Sequence, residues 1–233
     1  MGLAKVNTLE KEILKGTFIN GASVILLALL PFFLIPIQIH YLGIAGFGLV
    51  AATTLFSILG PIALLDLAIP SAASRYISDY ANTKRNPSAN SLILSLHLFM
   101  LVVGAFACIL FMLLRDVIFA FLSQDEILPP HQILQIIDLF AISFIWQFVY
   151  IASRSTLIAH KKFLVSQGID VITELIRFFA VWWALKQDGG ALEVITVNVI
   201  LTAFKFVVCL IAVRYFGMLR VGRLVEFDSR GVY

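Results

Sequence analysis

The residues of this sequence that could do chemistry are ionisable side chains inside long apolar runs. Asp170, Glu174 and Arg177 recur at spacings of four and three between Phe163 and Leu185, so a helix would carry them on one face. Lys205 lies near the middle of the next apolar run. Because a charge at the centre of a membrane helix costs at least about 2.5 kcal/mol on insertion scales, these residues need protein or water partners. They predict a polar site inside a helix bundle.

Hydroxyl and amide side chains extend both polar stripes. Ser166 and Thr173 fall on the same side of the first helix as its three charges, and Lys205 shares a face with Asn198 and Thr202 on the second. If the two helices form a hairpin, their cations and carboxylates meet in one cavity near the bilayer midplane. The cations would then bind an anionic group such as a phosphate, and the carboxylates would take a proton or Na+.

The predicted site residues divide into two groups by chemistry. The residues predicted to bind substrate carry cationic, amide or hydroxyl groups: Arg177, Lys205, Asn198, Thr202 and Arg154. The residues predicted to couple ions are carboxylates: Asp170, Glu174 and Asp66. Arg154 and Asp66 lie nearer to helix ends, where a charge costs less, so a structural role explains them equally well. The alternative for the whole site is that Glu174 and Arg177 only lock the bundle as an internal ion pair, with Lys205 satisfied by a neighbouring helix.

The elements that must position these residues are membrane-spanning helices. Of 233 residues, 61% are hydrophobic and 13% are charged, which excludes an ordinary water-soluble domain. A span needs about 20 consecutive apolar residues of helix, and six such stretches occur, at about 17–39, 46–73, 91–114, 133–158, 163–185 and 191–216. We therefore predict an all-α, polytopic membrane protein, a bundle of six transmembrane helices. The short run 117–122 either extends the third helix or lies along the interface.

The distribution of lysine and arginine predicts the orientation of the bundle. Positively charged loops stay cytoplasmic, and with the N terminus inside, the outer loops hold only Arg115 and Lys186. Both termini are then cytoplasmic, as a segment at 1–16 and a basic tail at 217–233, in a multi-pass protein of the cytoplasmic (inner) cell membrane. The cytoplasmic segments would hold twelve basic residues: Lys5, Lys11, Lys15, Arg75, Lys84, Arg85, Lys161, Lys162, Arg214, Arg220, Arg223 and Arg230.

Several other kinds of chemistry lack their motifs in this sequence. It contains no Gly-x-x-x-x-Gly-Lys-Ser/Thr phosphate loop for ATP, and its histidines and cysteines do not have metal-ligand spacing. We therefore predict no enzyme activity, no cofactor and no metal. A net charge of only +3 without a clustered basic face gives no support for nucleic-acid binding. His97, in the third run, is more simply a hydrogen-bonded packing residue than a proton carrier.

Motifs around the second predicted span resemble a known family. They are Tyr41-Leu42-Gly43, then Gly46-Phe47-Gly48-Leu49, Leu65-Asp66-Leu67-Ala68-Ile69 and Ser71-Ala72-Ala73-Ser74-Arg75-Tyr76. In order and spacing they resemble the N-terminal signature of polysaccharide-biosynthesis flippases, the O-antigen oligosaccharide transporters. Their superfamily also contains multidrug and toxic compound extrusion proteins. Ala68 stands where the family pattern usually has glycine, and the resemblance is strongest over residues 18–80.

The resemblance implies an architecture. Family members have two six-helix lobes that face each other across a central cavity, and this chain resembles the N-terminal lobe alone. The tail at 217–233 then resembles the start of the connector to a second lobe. The expectation is a truncated product, a fragment or a split protein, or a homodimer that imitates the two-lobed arrangement.

The resemblance also implies a function. The chain would move a polyprenyl-pyrophosphate-linked oligosaccharide from the cytoplasmic to the outer face by alternating access, for O-antigen (lipopolysaccharide) or capsule synthesis. Its partners would be the lipid-linked oligosaccharide, membrane lipids and, by family analogy, a polysaccharide polymerase and glycosyltransferases. Two alternatives are a cation-coupled multidrug exporter of the same superfamily and a non-transporting half-protein or scaffold.

Overall fold

Helices build the part of the chain that the structure describes, which is residues 3–59, 69–82, 86–122 and 129–218 of a computed structural model. These residues form seven helices and no strand, which confirms the all-α prediction for them. The helices are α1 (Leu3–Leu59), α2 (Ile69–Asn82), α3 (Asn86–Leu113), α4 (Arg115–Leu122), α5 (Pro130–Ala159), α6 (Phe163–Lys186) and α7 (Ala191–Tyr215).

Four stretches within these helices are long and apolar enough to cross a membrane: Gly21–Thr53, Asn90–Leu113, Pro130–Ala159 and Ala191–Tyr215. The 24-residue α6 is of similar length, but Asp170, Glu174 and Arg177 lie within it. The membrane character predicted from composition therefore has structural support. Six spans and cytoplasmic termini stay predictions.

The boundary between the first two predicted spans, 17–39 and 46–73, corresponds to a kink in α1. This helix spans Leu3 to Leu59, through Pro31 and Pro36, as two helical segments that meet at Gly43, the one residue inside it with non-helical backbone angles (φ 69°, ψ 175°). Because glycine has no Cβ, it adopts this positive φ without steric strain, so one residue turns the chain where the sequence suggested a boundary between spans. Residues 60–68, which include Asp66, lie outside the described part of the chain.

The third predicted span, 91–114, corresponds to α3, and the run 117–122 belongs to α4 directly after it. The backbone N–H of Ile118 donates to the carbonyl of Leu114 at 2.9 Å, so helical hydrogen bonding continues past the junction. Arg115 at the start of α4 forms a 2.8 Å salt bridge with Asp138 of α5. The run therefore follows α3 as a separate helix joined to it by helical hydrogen bonding, and its position relative to the membrane interface stays a prediction.

The last three helices match their predicted spans within three residues. The predictions were 133–158, 163–185 and 191–216, and the helices are α5, α6 and α7. The turn between α6 and α7 is tight, as its glycine pair suggested. At Gly189 the N–H donates to the Ala184 carbonyl at 3.0 Å, and a Cβ added there would lie only 2.6 Å from that same oxygen. The N–H of Gly190 donates to Glu193 Oε2 at 2.7 Å, which caps α7.

Two apolar clusters lie on either side of the polar residues of α6 and α7. One cluster joins α2, α3, α5 and the C-terminal part of α7 through residues such as Ile77, Met100, Phe148 and Val213. The other joins α1, α6 and the N-terminal part of α7 through Leu34, Leu49, Val181, Leu185 and Ile195, with Ile136 of α5. α5 lies at the centre, in contact with α2, α3, α4, α6 and α7. The polar residues at 170–177 and 198–205 therefore lie between two apolar layers, in the middle of their helices.

Candidate functional site

The helix α5 contributes a polar stripe to the centre of the bundle. Ser143, Gln147, Tyr150 and Arg154 follow one another at spacings of four, three and four, which is the spacing of one helix face. Ser143 and Tyr150 are buried. Their helix packs against both α6 and α7, so this stripe meets the polar stripes of those helices.

Asp170 of α6 is the centre of an ion cluster that joins three helices. Its side chain is only 8% exposed, and its Oδ1 accepts from Lys205 Nζ of α7 at 2.6 Å. The same oxygen accepts from the Tyr150 hydroxyl, and Oδ2 accepts from Arg154 Nε of α5 at 3.3 Å. Lys205 Nζ also lies 4.6 Å from the centroid of the Tyr150 ring, a cation–π contact. One buried carboxylate is thus satisfied by three donors, as a charge at this depth requires.

A second ion pair lies within α6. Arg177 Nη2 donates to Glu174 Oε1, one turn away on the same helix, and the two side chains are 24% and 20% exposed. Two buried polar atoms nearby, Arg177 Nε and Asn198 Oδ1, have no hydrogen-bond partner among the described residues. An unpaired buried donor and acceptor cost free energy until a ligand or water satisfies them.

A cleft of about 390 Å³ lies between α1, α5, α6 and α7. Lys205, Arg177 and Glu174 line it, whereas Asp170 is not among the lining residues. Lys205 therefore lies between the cleft and Asp170. The remaining polar lining comes from all four helices: Thr53, Ser143, Gln147, Thr173, Asn198 and Thr202.

The charges at the cleft do not balance. Two cations, Arg177 and Lys205, line it with one carboxylate, Glu174. With Arg154 and Asp170 beside Lys205, one positive charge is still in excess when all five groups are ionised. Lys205 lies ten residues before the last residue of α7, about 15 Å along the helix axis. Lys205 therefore lies near the middle of α7, more than two turns from either end.

The opposite face of α6 is apolar. A groove of about 530 Å³ is formed there by residues 172–183 of this one helix, and Ile172, Phe179 and Trp183 on it are each more than half exposed. A groove formed by a single helix without polar lining offers no polar chemistry. Because Ser166, Asp170 and Thr173 are buried, the polar stripe of α6 faces protein, as its charges required.

The structure brings most of the predicted site residues together. Arg177, Lys205, Asn198, Thr202 and Glu174 all line the cleft, and Asp170 and Arg154 lie directly beside Lys205. Asp66 lies outside the described residues. The two ion pairs are also the contacts that a purely structural role of the charges would give, since Glu174 pairs with Arg177 and Lys205 is satisfied by the neighbouring α6.

Sequence reasoning missed four residues of the site: Thr53, Ser143, Gln147 and Tyr150. The last three share a helical face with Arg154, and that spacing is the signal that could have identified them. Tyr150 gave no signal of a site in the sequence, because tyrosine is common inside the apolar runs of membrane helices.

His97 lies in another part of the bundle, between α3 and α5. Its Nδ1 donates to the Ile93 carbonyl at 2.8 Å, and its Nε2 is 3.1 Å from the Ser153 hydroxyl. The ring is 8% exposed. These contacts match the interpretation of His97 as a hydrogen-bonded packing residue. Within the described ranges, no group of three histidine, cysteine or acidic residues could hold a metal ion.

Comparison with known proteins found no match to this chain. No protein-family model matches the chain, and no curated protein or solved structure matches it either. The resemblance to oligosaccharide flippases therefore rests on the sequence motifs alone.

Proposed function

We propose that this chain is a lobe of a membrane transporter that carries an anionic, lipid-linked substrate through the cleft between α1, α5, α6 and α7. The substrate class implied by the sequence resemblance is a polyprenyl-pyrophosphate-linked oligosaccharide. Lys205 and Arg177 contact the pyrophosphate, the amide and hydroxyl groups around them contact sugar hydroxyls, and the lipid tail stays in the bilayer beside the apolar helix faces.

The excess positive charge at mid-helix depth is the observation that carries this proposal. Arg177 and Lys205 line the cleft with a single carboxylate, Glu174, so the cleft lining itself carries one positive charge in excess when these groups are ionised. An anion in the cleft supplies the missing negative charge. It also supplies acceptors for Arg177 Nε, which has no partner among the described residues.

The same charges argue against the multidrug-exporter alternative. A cationic drug would need a carboxylate in the cleft with free acceptor capacity. Glu174 is the acidic residue that lines the cleft, and it already pairs with Arg177. Binding a cation there would add to an existing excess of positive charge, which is unfavourable at low dielectric.

Equilibrium binding tests this proposal. The full chain in lipid nanodiscs is mixed with a polyprenyl-pyrophosphate disaccharide, and native mass spectrometry measures the bound fraction. Because a charge-assisted hydrogen bond contributes about 1.5 to 3 kcal/mol, Lys205→Ala should weaken binding by at least about tenfold.

The matched control is Lys186→Ala. It removes the same charge from an exposed lysine that packs over the Trp182 ring, 4.8 Å from its centroid, and it should bind as the parent does. Equal binding by the parent and by Lys205→Ala would show that the cleft is not the substrate site.

A further inference from the structure

We propose that anion binding in the cleft is coupled to protonation of Asp170, so that the anion and one proton bind together. The anion shares Lys205 with the Asp170 carboxylate, and the carboxylate then takes a proton. This inference rests on the proposed function in one respect: it requires the cleft to bind an anion.

The position of Lys205 is the basis of the coupling. Its ammonium group is 2.6 Å from Asp170 Oδ1, and its side chain, 28% exposed, lines the cleft. Asp170 lies on the other side of Lys205, with its side chain 8% exposed. An anion that enters the cleft and contacts Lys205 therefore shares one ammonium group with a buried carboxylate.

Two negative groups on one ammonium repel each other strongly at this depth. Groups that both contact Lys205 lie about 6 Å apart, and at an effective dielectric constant of about 20 the repulsion between two unit charges corresponds to roughly a hundredfold weaker binding. A proton on Asp170 removes this repulsion. By thermodynamic reciprocity, the anion must then favour the protonated form of Asp170 by the same factor.

Asp170 can lose its charge without leaving its neighbours unsatisfied. From α5 it faces Tyr150 and Arg154, and from α7 it faces Lys205 and Cys209. A neutral carboxyl still accepts the hydrogen bond of the Tyr150 hydroxyl, and the Arg154 side chain is more than a third exposed, so its charge is not buried without Asp170. From α1, the residue at the cleft is Thr53, which carries no charge.

Glu174 is the other carboxylate at the cleft, and its geometry is less suited to this role. Its partner Arg177 is on the same helix, and a guanidinium with five N–H donors can contact Glu174 and an anion through different nitrogens. Its side chain is also more exposed than that of Asp170, at 20%. Competition for one compact ammonium is therefore specific to Asp170.

The coupling has a definite sign: binding of the anion favours binding of the proton. Because anion and proton favour each other's binding, anion binding is accompanied by proton uptake, as in a cotransporter. An exchanger would show the opposite linkage, with the proton displaced when the substrate binds. Protonation also weakens the carboxylate contacts that join α5, α6 and α7, so the loaded cleft is the state in which these helices are most free to move.

Calorimetry of sulfate binding tests the inference on the full chain in lipid nanodiscs. Sulfate is the probe because it stays a dianion near neutral pH and takes up no proton itself. Titrations at one pH in two buffers of different ionisation enthalpy give the number of protons taken up on binding. We expect net proton uptake by the parent, and none by Asp170→Asn, which should bind sulfate about tenfold to a hundredfold more tightly.

Two further variants assign the proton to its site. Asp138→Asn is the matched control, because Asp138 is also paired with an arginine, Arg115 of α4, but does not line the cleft; it should take up protons as the parent does. Glu174→Gln should also keep the uptake. Loss of uptake in Glu174→Gln, with uptake retained in Asp170→Asn, would overturn the assignment to Asp170.

The outcomes separate this inference from the proposed function. Sulfate binding to the parent without proton uptake would overturn the coupling and leave an anion-binding cleft intact. Absence of sulfate binding by both the parent and Asp170→Asn would overturn the coupling and the anion-binding cleft together.

Discussion

The most informative stability prediction concerns Asp170, because it receives hydrogen bonds from three side chains on two other helices. Asp170→Ala removes all three contacts and leaves Arg154, Lys205 and the Tyr150 hydroxyl without their shared acceptor. Lys205→Ala removes only one of these contacts and leaves the other two in place. The two variants therefore differ in how many contacts are lost around the same carboxylate.

The structure sets the size of the two effects. Interhelical hydrogen bonds in membranes contribute about 0.6 kcal/mol on average, and hydrogen bonds to charged groups about 1.5 to 3 kcal/mol in soluble proteins. With about 1 kcal/mol for each contact, between these values, Asp170→Ala should lower the free energy of unfolding by about 3 kcal/mol. On the same basis Lys205→Ala should lower it by about 1 kcal/mol.

Unfolding in mixed micelles with increasing denaturing detergent measures this difference. Tryptophan fluorescence reports the transition, since Trp146 stacks on Phe206 with ring centroids 5.5 Å apart and changes its environment when α5 and α7 separate. If Asp170→Ala is no more destabilising than Lys205→Ala, the carboxylate is not the centre of the cluster, and the reasoning is refuted.

Three further predictions use the same unfolding assay. Gly189→Ala should lower the free energy of unfolding by about 1 to 2 kcal/mol, because the added Cβ would lie 2.6 Å from a backbone carbonyl oxygen. Gly190→Ala should lower it less, because the nearest atom to its Cβ would be a side-chain oxygen at 3.4 Å. Equal effects of the two substitutions would contradict the turn geometry. Gly104→Leu should destabilise the protein more than Gly104→Ala, because even a Cβ at this position would lie only 3.1 Å from the backbone of α5. A Leu variant with the stability of the parent would show that α3 and α5 do not approach closely. Arg115→Ala should change the free energy of unfolding by at most about 1 kcal/mol, because the side chains of Arg115 and Asp138 are each more than a third exposed. A larger loss would mean that this salt bridge is essential for the packing of α4 against α5.

The sequence predicted α5, α6 and α7 closely because polar residues bound their apolar runs on both sides. It also predicted a boundary at residues 40–45, where Gly43 kinks α1, but not that the two helical segments meet at this single residue. No strongly polar segment separates the two runs there, so hydrophobicity alone could not locate the kink at one residue. The kink depends on backbone angles that glycine can adopt, but a glycine in the sequence does not show that it adopts them.

The candidate site was predicted in composition, and the pair of Glu174 with Arg177 was one of its two interpretations, but the partners of Asp170 were not predicted. The spacing on α6 put Asp170, Glu174 and Arg177 on one face, and the need to satisfy buried charges put Lys205 nearby. Which carboxylate takes which cation depends on how α6 and α7 are aligned along their axes, and no residue spacing within one helix fixes that alignment. Tyr150 escaped prediction because a phenol carries no charge and needed no partner in the argument from the sequence.

Translocation by the reconstituted protein is the direct test of transport through this cleft. The full chain is inserted into vesicles with a fluorescent polyprenyl-pyrophosphate disaccharide, and a membrane-impermeant quencher measures how fast the saccharide crosses the bilayer. We expect the parent to accelerate crossing, and we expect Arg177→Ala and Lys205→Ala each to abolish it while inserting into the membrane as the parent does. Crossing by both variants at the parent rate would contradict the claim that this cleft carries the substrate.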